Sequence, residues 1–266
     1  MKLKQSFRFM LRDYRGASMI FYLIMLCIMA LSLFGALNMS LHLSANETTL
    51  ADAVGGSFAG CEIASIIFLF VCGLNAYTDQ FSMLAQNGVT RRTFFTGHLA
   101  ASGAVSLLFA VIDRALLFFC DGIGRRMSFP VYSYAFFDLL NQEMDAVEGR
   151  IYSVDHPTWQ SFVSTLGLYF FFPALGFLIV LVFKRLSRTG CALVGAGVPI
   201  TLFVVCPLLD TLLFQGRIGQ ALSDLALSGL RMTVNNPFAF LGIAIGATLV
   251  LCLLSWLLLR RIPLKK

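Results

Sequence analysis

Residues 78–98 read TDQFSMLAQNGVTRRTFFTGH, a short polar and basic interruption between two long apolar runs. Phe81, Leu84 and Ala85 recur at i, i+3 and i+4, the spacing of one helix face, and Asn87-Gly88 supplies the signal that stops it. Thr90 fits the cap of a second helix, because its hydroxyl can accept a backbone N–H that the first turn leaves unpaired. Arg91 and Arg92 follow at once. Paired cations next to an apolar run favour the cytoplasmic face of a membrane. The stretch therefore predicts a small amphipathic helix across the cytoplasmic mouth of two transmembrane helices. An ordinary connecting loop that carries retained charges is the simpler alternative, and the rest of the chain has to separate the two.

Working outward, composition makes the membrane reading general. Of 266 residues, 58% are hydrophobic and 13% charged, and the mean hydropathy is +0.81. An ordinary soluble domain of this length is excluded. Helices are favoured over a barrel, because the apolar runs are long and do not alternate, and backbone in lipid has to satisfy its own hydrogen bonds. The formal charge of +6 does not point to nucleic acid, since the basic residues sit at helix ends and orient the chain instead. Seven cysteines stand singly, with no CxxC, and read as small packing residues. No cleavable signal is expected, so the first span is retained as an anchor.

The reading is an all-α membrane protein forming one transmembrane domain over 1–266. It has six spans at about 17–39, 57–77, 94–119, 160–183, 191–214 and 237–259, and both termini are cytoplasmic. Residues 2–15 set Leu3, Phe7, Met10, Leu11 and Tyr14 against Lys4, Arg8, Arg12 and Arg15, which suits a helix lying flat at the headgroups. Residues 40–56 carry Glu47 and Asp52 without Lys or Arg and belong outside. The extracytoplasmic loop 120–158 places Phe136, Leu140, Met144 and Val147 opposite acidic residues, the pattern of one exposed amphipathic helix. Pro173, Pro199 and Pro207 interrupt spans four and five, and their freed carbonyls need partners. Residues 215–236 read as a re-entrant outer segment before Asn236 caps the last span. Residues 2–15, Arg91-Arg92, 184–188 and 260–266 hold fourteen of the twenty Lys and Arg, in agreement with six spans. Arg125-Arg126 runs against that bias; placing 121–126 inside would need an odd number of spans or a re-entrant segment.

The run NGVTRRTFF, after the acidic and aromatic lead of Asp79 and Phe81, resembles the coupling-helix region of ABC transporter permease subunits of the ABC-2 type. The plan of nearly the whole chain is similar to that family's: an N-terminal interfacial helix, six spans, a coupling helix between spans two and three, and a re-entrant piece between five and six. The resemblance implies an exporter subunit in the cell (plasma or inner) membrane of a bacterium. It implies a coupling site of Asp79, Phe81, Leu84, Asn87, Gly88, Arg91 and Arg92 that docks into a separate ABC ATP-binding subunit, with 184–190 as a lesser contact. A second permease chain, identical or different, is implied as well. No GxxxxGK[ST] occurs, so ATP and Mg are expected on the partner and no cofactor or metal on this chain. The outer connection 120–158 is longer than the family's usual link, which leaves the substrate open.

Four charges fall inside the expected spans: Glu62, Asp113, Arg114 and Asp210. An unpaired charge in hydrocarbon costs on the order of 2.5–3.5 kcal/mol on insertion scales, so pairing or a wet cavity is expected. They are candidates for an outer vestibule or gate; in the plainer alternative Arg114 neutralises one carboxylate and the rest reach the interface. Three rivals remain to the permease. A secondary transporter would break helices at matching places in both halves, whereas spans four and five contain prolines and the first half contains none. An intramembrane enzyme would show HExxH, GxSxG or paired aspartates, and His42, His98 and His156 are isolated. A membrane protein for sensing or immunity, without an ATPase partner, shares the composition.

Overall fold

The computed structural model describes residues 2–42, 47–77, 81, 83–84, 87–127, 142–144, 151–153, 158–201, 206–213, 217, 219, 221 and 236–261. In chain order the elements are α1 (Lys2–His42), α2 (Glu47–Asn75), α3 (Arg91–Met127), β1 (Gln142–Met144), β2 (Ile151–Ser153), α4 (Thr158–Arg185), α5 (Arg188–Ile200), α6 (Cys206–Leu213) and α7 (Pro237–Arg261). Four stretches, Lys4–Leu31, Arg91–Phe119, Trp159–Arg185 and Pro237–Arg260, are long and apolar enough to cross a membrane. Their outward faces are large and apolar: Leu31, Phe118, Ile243 and Leu249 are exposed. Such a surface is stable only against lipid, so the chain is built as a multi-pass membrane protein.

Several boundaries differ from expectation. In place of a flat helix over 2–15 and a separate span, the chain forms one helix, Lys2–His42. Nothing at the junction breaks it: Gly16 meets no neighbour and lowers helix propensity by only about 1 kcal/mol. The stripe expected to rest on lipid is instead buried against protein, with Met10 and Tyr14 in the core. The outer segment 40–56 shrinks, because α1 continues to His42 and α2 starts at Glu47. The loop expected over 120–158 starts later, since α3 continues to Met127. Within it, Gln142–Met144 pairs antiparallel with Ile151–Ser153 in the register Gln142↔Ser153, so this part of the expected amphipathic helix is strand. Ile151 and Tyr152 favour extended backbone, and Gly149 lies in the connection. Of the expected fifth span, the described residues form α5 and α6, and 202–205 between them lie outside the described residues. Most of the re-entrant segment 215–236 lies outside the described residues.

Contacts fix the helix directions. Tyr14 meets His98 and Tyr22 meets Asp113, so α1 and α3 run the same way. Phe68 stacks on Phe109, and Phe81, just past the end of α2, meets Phe94 edge-on near the start of α3, so α2 runs opposite to α3. Phe95 meets both Phe177 and Trp256 near the C-terminal ends of α4 and α7. The start of α1, the start of α3 and the ends of α2, α4 and α7 therefore share one end of the bundle. Arg8, Arg12, Arg15, Arg91, Arg92, Lys184, Arg185 and Arg260 are all at that end.

The core between α1, α2 and α3 is aromatic: Phe21 lies 4.6 Å from Phe68 and 5.7 Å from Phe109, ring centre to ring centre. Between α2 and α4 the backbones themselves touch. A Cβ at Gly73 would run into the Pro173 carbonyl, and one at Gly176 into the Phe70 carbonyl. Helix α4 continues through Pro173, which has no N–H to give the carbonyl four residues back. That carbonyl belongs to Tyr169, and the Ser106 hydroxyl donates to it at 2.6 Å. Gly242 and Gly246 meet no neighbour; the close approach of α4 and α7 uses Gly167 against Ala244.

Candidate functional site

The polar bend after α2 is held from several sides. Phe81 and Leu84 are helical and buried, and Phe81 stacks on Tyr77 at 4.8 Å and meets Phe94 edge-on at 4.9 Å. Gly88 has φ 69°, and the Val89 N–H reaches back to the Leu84 carbonyl at 3.0 Å. Those are the marks of a Schellman stop, which needs a left-handed residue that glycine adopts without strain. The Asn87 side-chain amide also donates to the Met83 carbonyl at 2.9 Å. Two residues past Gly88, Thr90 caps α3, accepting the Thr93 N–H at 3.3 Å on its hydroxyl.

Arg91 ties the bend to the far end of the chain. Its Nη1 donates to the carbonyls of Arg260 at 2.7 Å and Leu259 at 3.3 Å. Those are among the last carbonyls of α7, which have no partner within their own helix and carry the negative end of its dipole. A guanidinium there satisfies both demands. Met83, Asn87, Gly88 and Arg92 stay exposed on the outside of the bend. Of the residues expected at the coupling site, Phe81, Leu84, Asn87, Gly88, Arg91 and Arg92 thus meet in one compact unit, while Asp79 lies outside the described residues.

A second polar group lies deeper. Glu62 is about 20 Å along α2 from Asn75, and Asp113 about 33 Å along α3 from Arg91, at 1.5 Å per residue. Both carboxylates are buried, at 1% and 2% exposure. Arg114 Nη2 lies 3.3 Å from Glu62 Oε1 and donates to Ser161 Oγ at 2.9 Å. Thr165 also donates to Glu62, at 3.4 Å. Asp113 accepts the Tyr22 hydroxyl at 3.0 Å and the Tyr169 hydroxyl on its other oxygen. The group joins α1, α2, α3 and α4: Arg114 pairs with Glu62, and two tyrosine hydroxyls hold Asp113. Asp210, expected beside them, accepts the Gly219 N–H at 2.6 Å on the segment after its own helix.

Two features escaped the sequence reading. His98 is buried, its ring tilted against Phe177 at 4.4 Å, with Nδ1 3.2 Å from the Tyr14 hydroxyl. The hydroxyl partners of Glu62 and Asp113 come from α1 and α4 and are invisible to spacing along α2 or α3. One signal was present: Phe94, His98, Ala101, Val105, Phe109 and Asp113 lie on one helical stripe and all are buried. No group of three His, Cys, Asp or Glu among the described residues could hold a metal ion. No family model matches the chain, and no curated protein or solved structure is a match to it.

Proposed function

We propose that this chain is the membrane-spanning permease subunit of an ABC transporter of the ABC-2 type, acting in export and driven by a separate ATP-binding subunit. The observation that carries the reading is the construction of the bend at 76–94. Its apolar side is buried between α2 and α3, and Arg91 fastens it to the end of α7. A force on the exposed side of such a unit is passed to three long helices at once, which is what a motor that acts by domain closure requires of its membrane partner. The charge at that end of the bundle supports a cytoplasmic position for it.

In this reading ATP and Mg bind to the partner, a second permease chain completes the pathway, and this chain performs no catalysis. Glu62, Asp113 and Arg114 form the polar part of an outer gate, where a change of helix packing exchanges one set of hydrogen bonds for another. Asp210 belongs to a neighbouring outer element.

Co-purification in mild detergent tests the proposal. An ATP-binding chain is expected to accompany the protein. Met83→Asp and Arg92→Glu, both on the exposed side, are expected to lower its recovery severalfold while the thermal midpoint stays unchanged. A preparation that contains no ATP-binding chain, or recovery indifferent to both substitutions, contradicts the reading.

A further inference from the structure

A groove of about 810 Å³ runs between α1 and α3. Met19, Leu23, Leu26, Val105, Leu108 and Leu116 line it, together with Arg15 at one end. From Arg15 to Ala30 it follows α1 for about 22 Å at 1.5 Å per residue. That is more than the depth of one leaflet, which is about half of the ~30 Å hydrocarbon core. A second concavity, about 440 Å³, is formed by Arg8, Phe9, Leu11, Arg12 and Arg15. Leu11 and Arg15 belong to both, so an apolar channel opens directly onto three exposed guanidiniums.

The geometry points to a binding site for an anionic phospholipid: one acyl chain lies in the α1–α3 groove and the headgroup phosphate lies on Arg8, Arg12 and Arg15. Spacings of four and three residues put the three arginines on one helix face. Guanidinium is the side chain best matched to phosphate oxygens, because its fork donates two parallel hydrogen bonds. Lys4 adds to the same positive field, and Asp13 is the one carboxylate between Lys4 and Arg15. Charge also discriminates between occupants. A second copy of this chain seated symmetrically on the groove would bring the three arginines against their own copies, a like-charge contact at low dielectric. A zwitterionic lipid brings a phosphate too, but its own headgroup cation offsets that charge and adds a like charge beside the three arginines. The inference is independent of any ATP-binding partner, since it concerns this chain and lipid alone.

The test is native mass spectrometry of the full chain, exchanged into detergent with equimolar phosphatidylglycerol and phosphatidylcholine. The wild type is expected to retain phosphatidylglycerol by on the order of tenfold or more over phosphatidylcholine, from the attraction of three cations near one anionic headgroup. Raising the salt concentration is expected to erode that preference. The triple variant Arg8→Gln, Arg12→Gln, Arg15→Gln is expected to bring the two lipids to near parity. Leu108→Trp, on an exposed wall of the groove, is expected to lower retention of phosphatidylglycerol with all three arginines in place. Equal retention of the two lipids by the wild type overturns the proposal, as does a triple variant that keeps the preference. So does a Leu108→Trp chain that changes its oligomeric state and not its bound lipid. Circular dichroism of both variants confirms that the comparison is between folded chains.

Discussion

Arg91 shows how one side chain can belong to two parts of a structure. In the sequence it reads as half of a basic pair that marks a membrane face; in the fold it spans 168 and 169 positions of chain to cap α7. Hydrogen bonds from a charged donor contribute about 1.5–3 kcal/mol when buried and less at a half-exposed site. Arg91→Ala is therefore expected to lower stability by about 1 kcal/mol, read as a fall of a few degrees in thermal midpoint, and Arg92→Ala to leave it unchanged. Equal effects of the two would contradict the cap. Glu62 and Arg114 permit a sharper comparison. Arg114→Leu leaves a buried carboxylate without its cation and is expected to destabilise by about 3 kcal/mol, whereas the double change with Glu62→Gln should recover much of the loss. If the chain is the permease proposed, Glu62→Gln alone is expected to alter transport while the protein still folds. A double variant no more stable than Arg114→Leu would show that the pair does not act as a unit.

The elements were legible where a rule is local and obscure where it is not. The stop at Asn87-Gly88 and the cap at Thr90 follow from residue type alone, and both are present with the expected hydrogen bonds. The need of Pro173 for a donor to its freed carbonyl was also readable, but not that Ser106, on another helix, supplies it. The helix over Lys2–His42 was misread because an amphipathic stripe has the same period whether it faces lipid or a neighbouring helix. The strand pair at 142–153 was missed because six residues are too few for periodicity to decide. Two predictions follow from packing of this kind. Ser106→Ala should cost about 1 kcal/mol by leaving the Tyr169 carbonyl unmet. Gly176→Val should cost more, about 1–3 kcal/mol, because its side chain collides with backbone that has no rotamer to change. Unfolding in a denaturing detergent orders the two, and a reversed order would contradict the account of the α2–α4 contact.

Over the whole molecule, the charge pattern and the helix directions converge on one feature. Basic residues from α1, α3, α4 and α7 gather at a single end of the bundle, while Glu62 and Asp113 are buried toward the other half. This arrangement makes the side of the membrane on which the bend lies the central claim, since a motor fuelled by ATP acts only from the cytoplasm. A single cysteine at position 92, introduced as Arg92→Cys into a chain whose seven native cysteines are replaced, tests it most directly with a membrane-impermeant maleimide. The account predicts no label in intact cells and full label once the cytoplasmic face is opened. Label in intact cells would contradict it, because the bend would then face the exterior, beyond the reach of any ATP-driven partner.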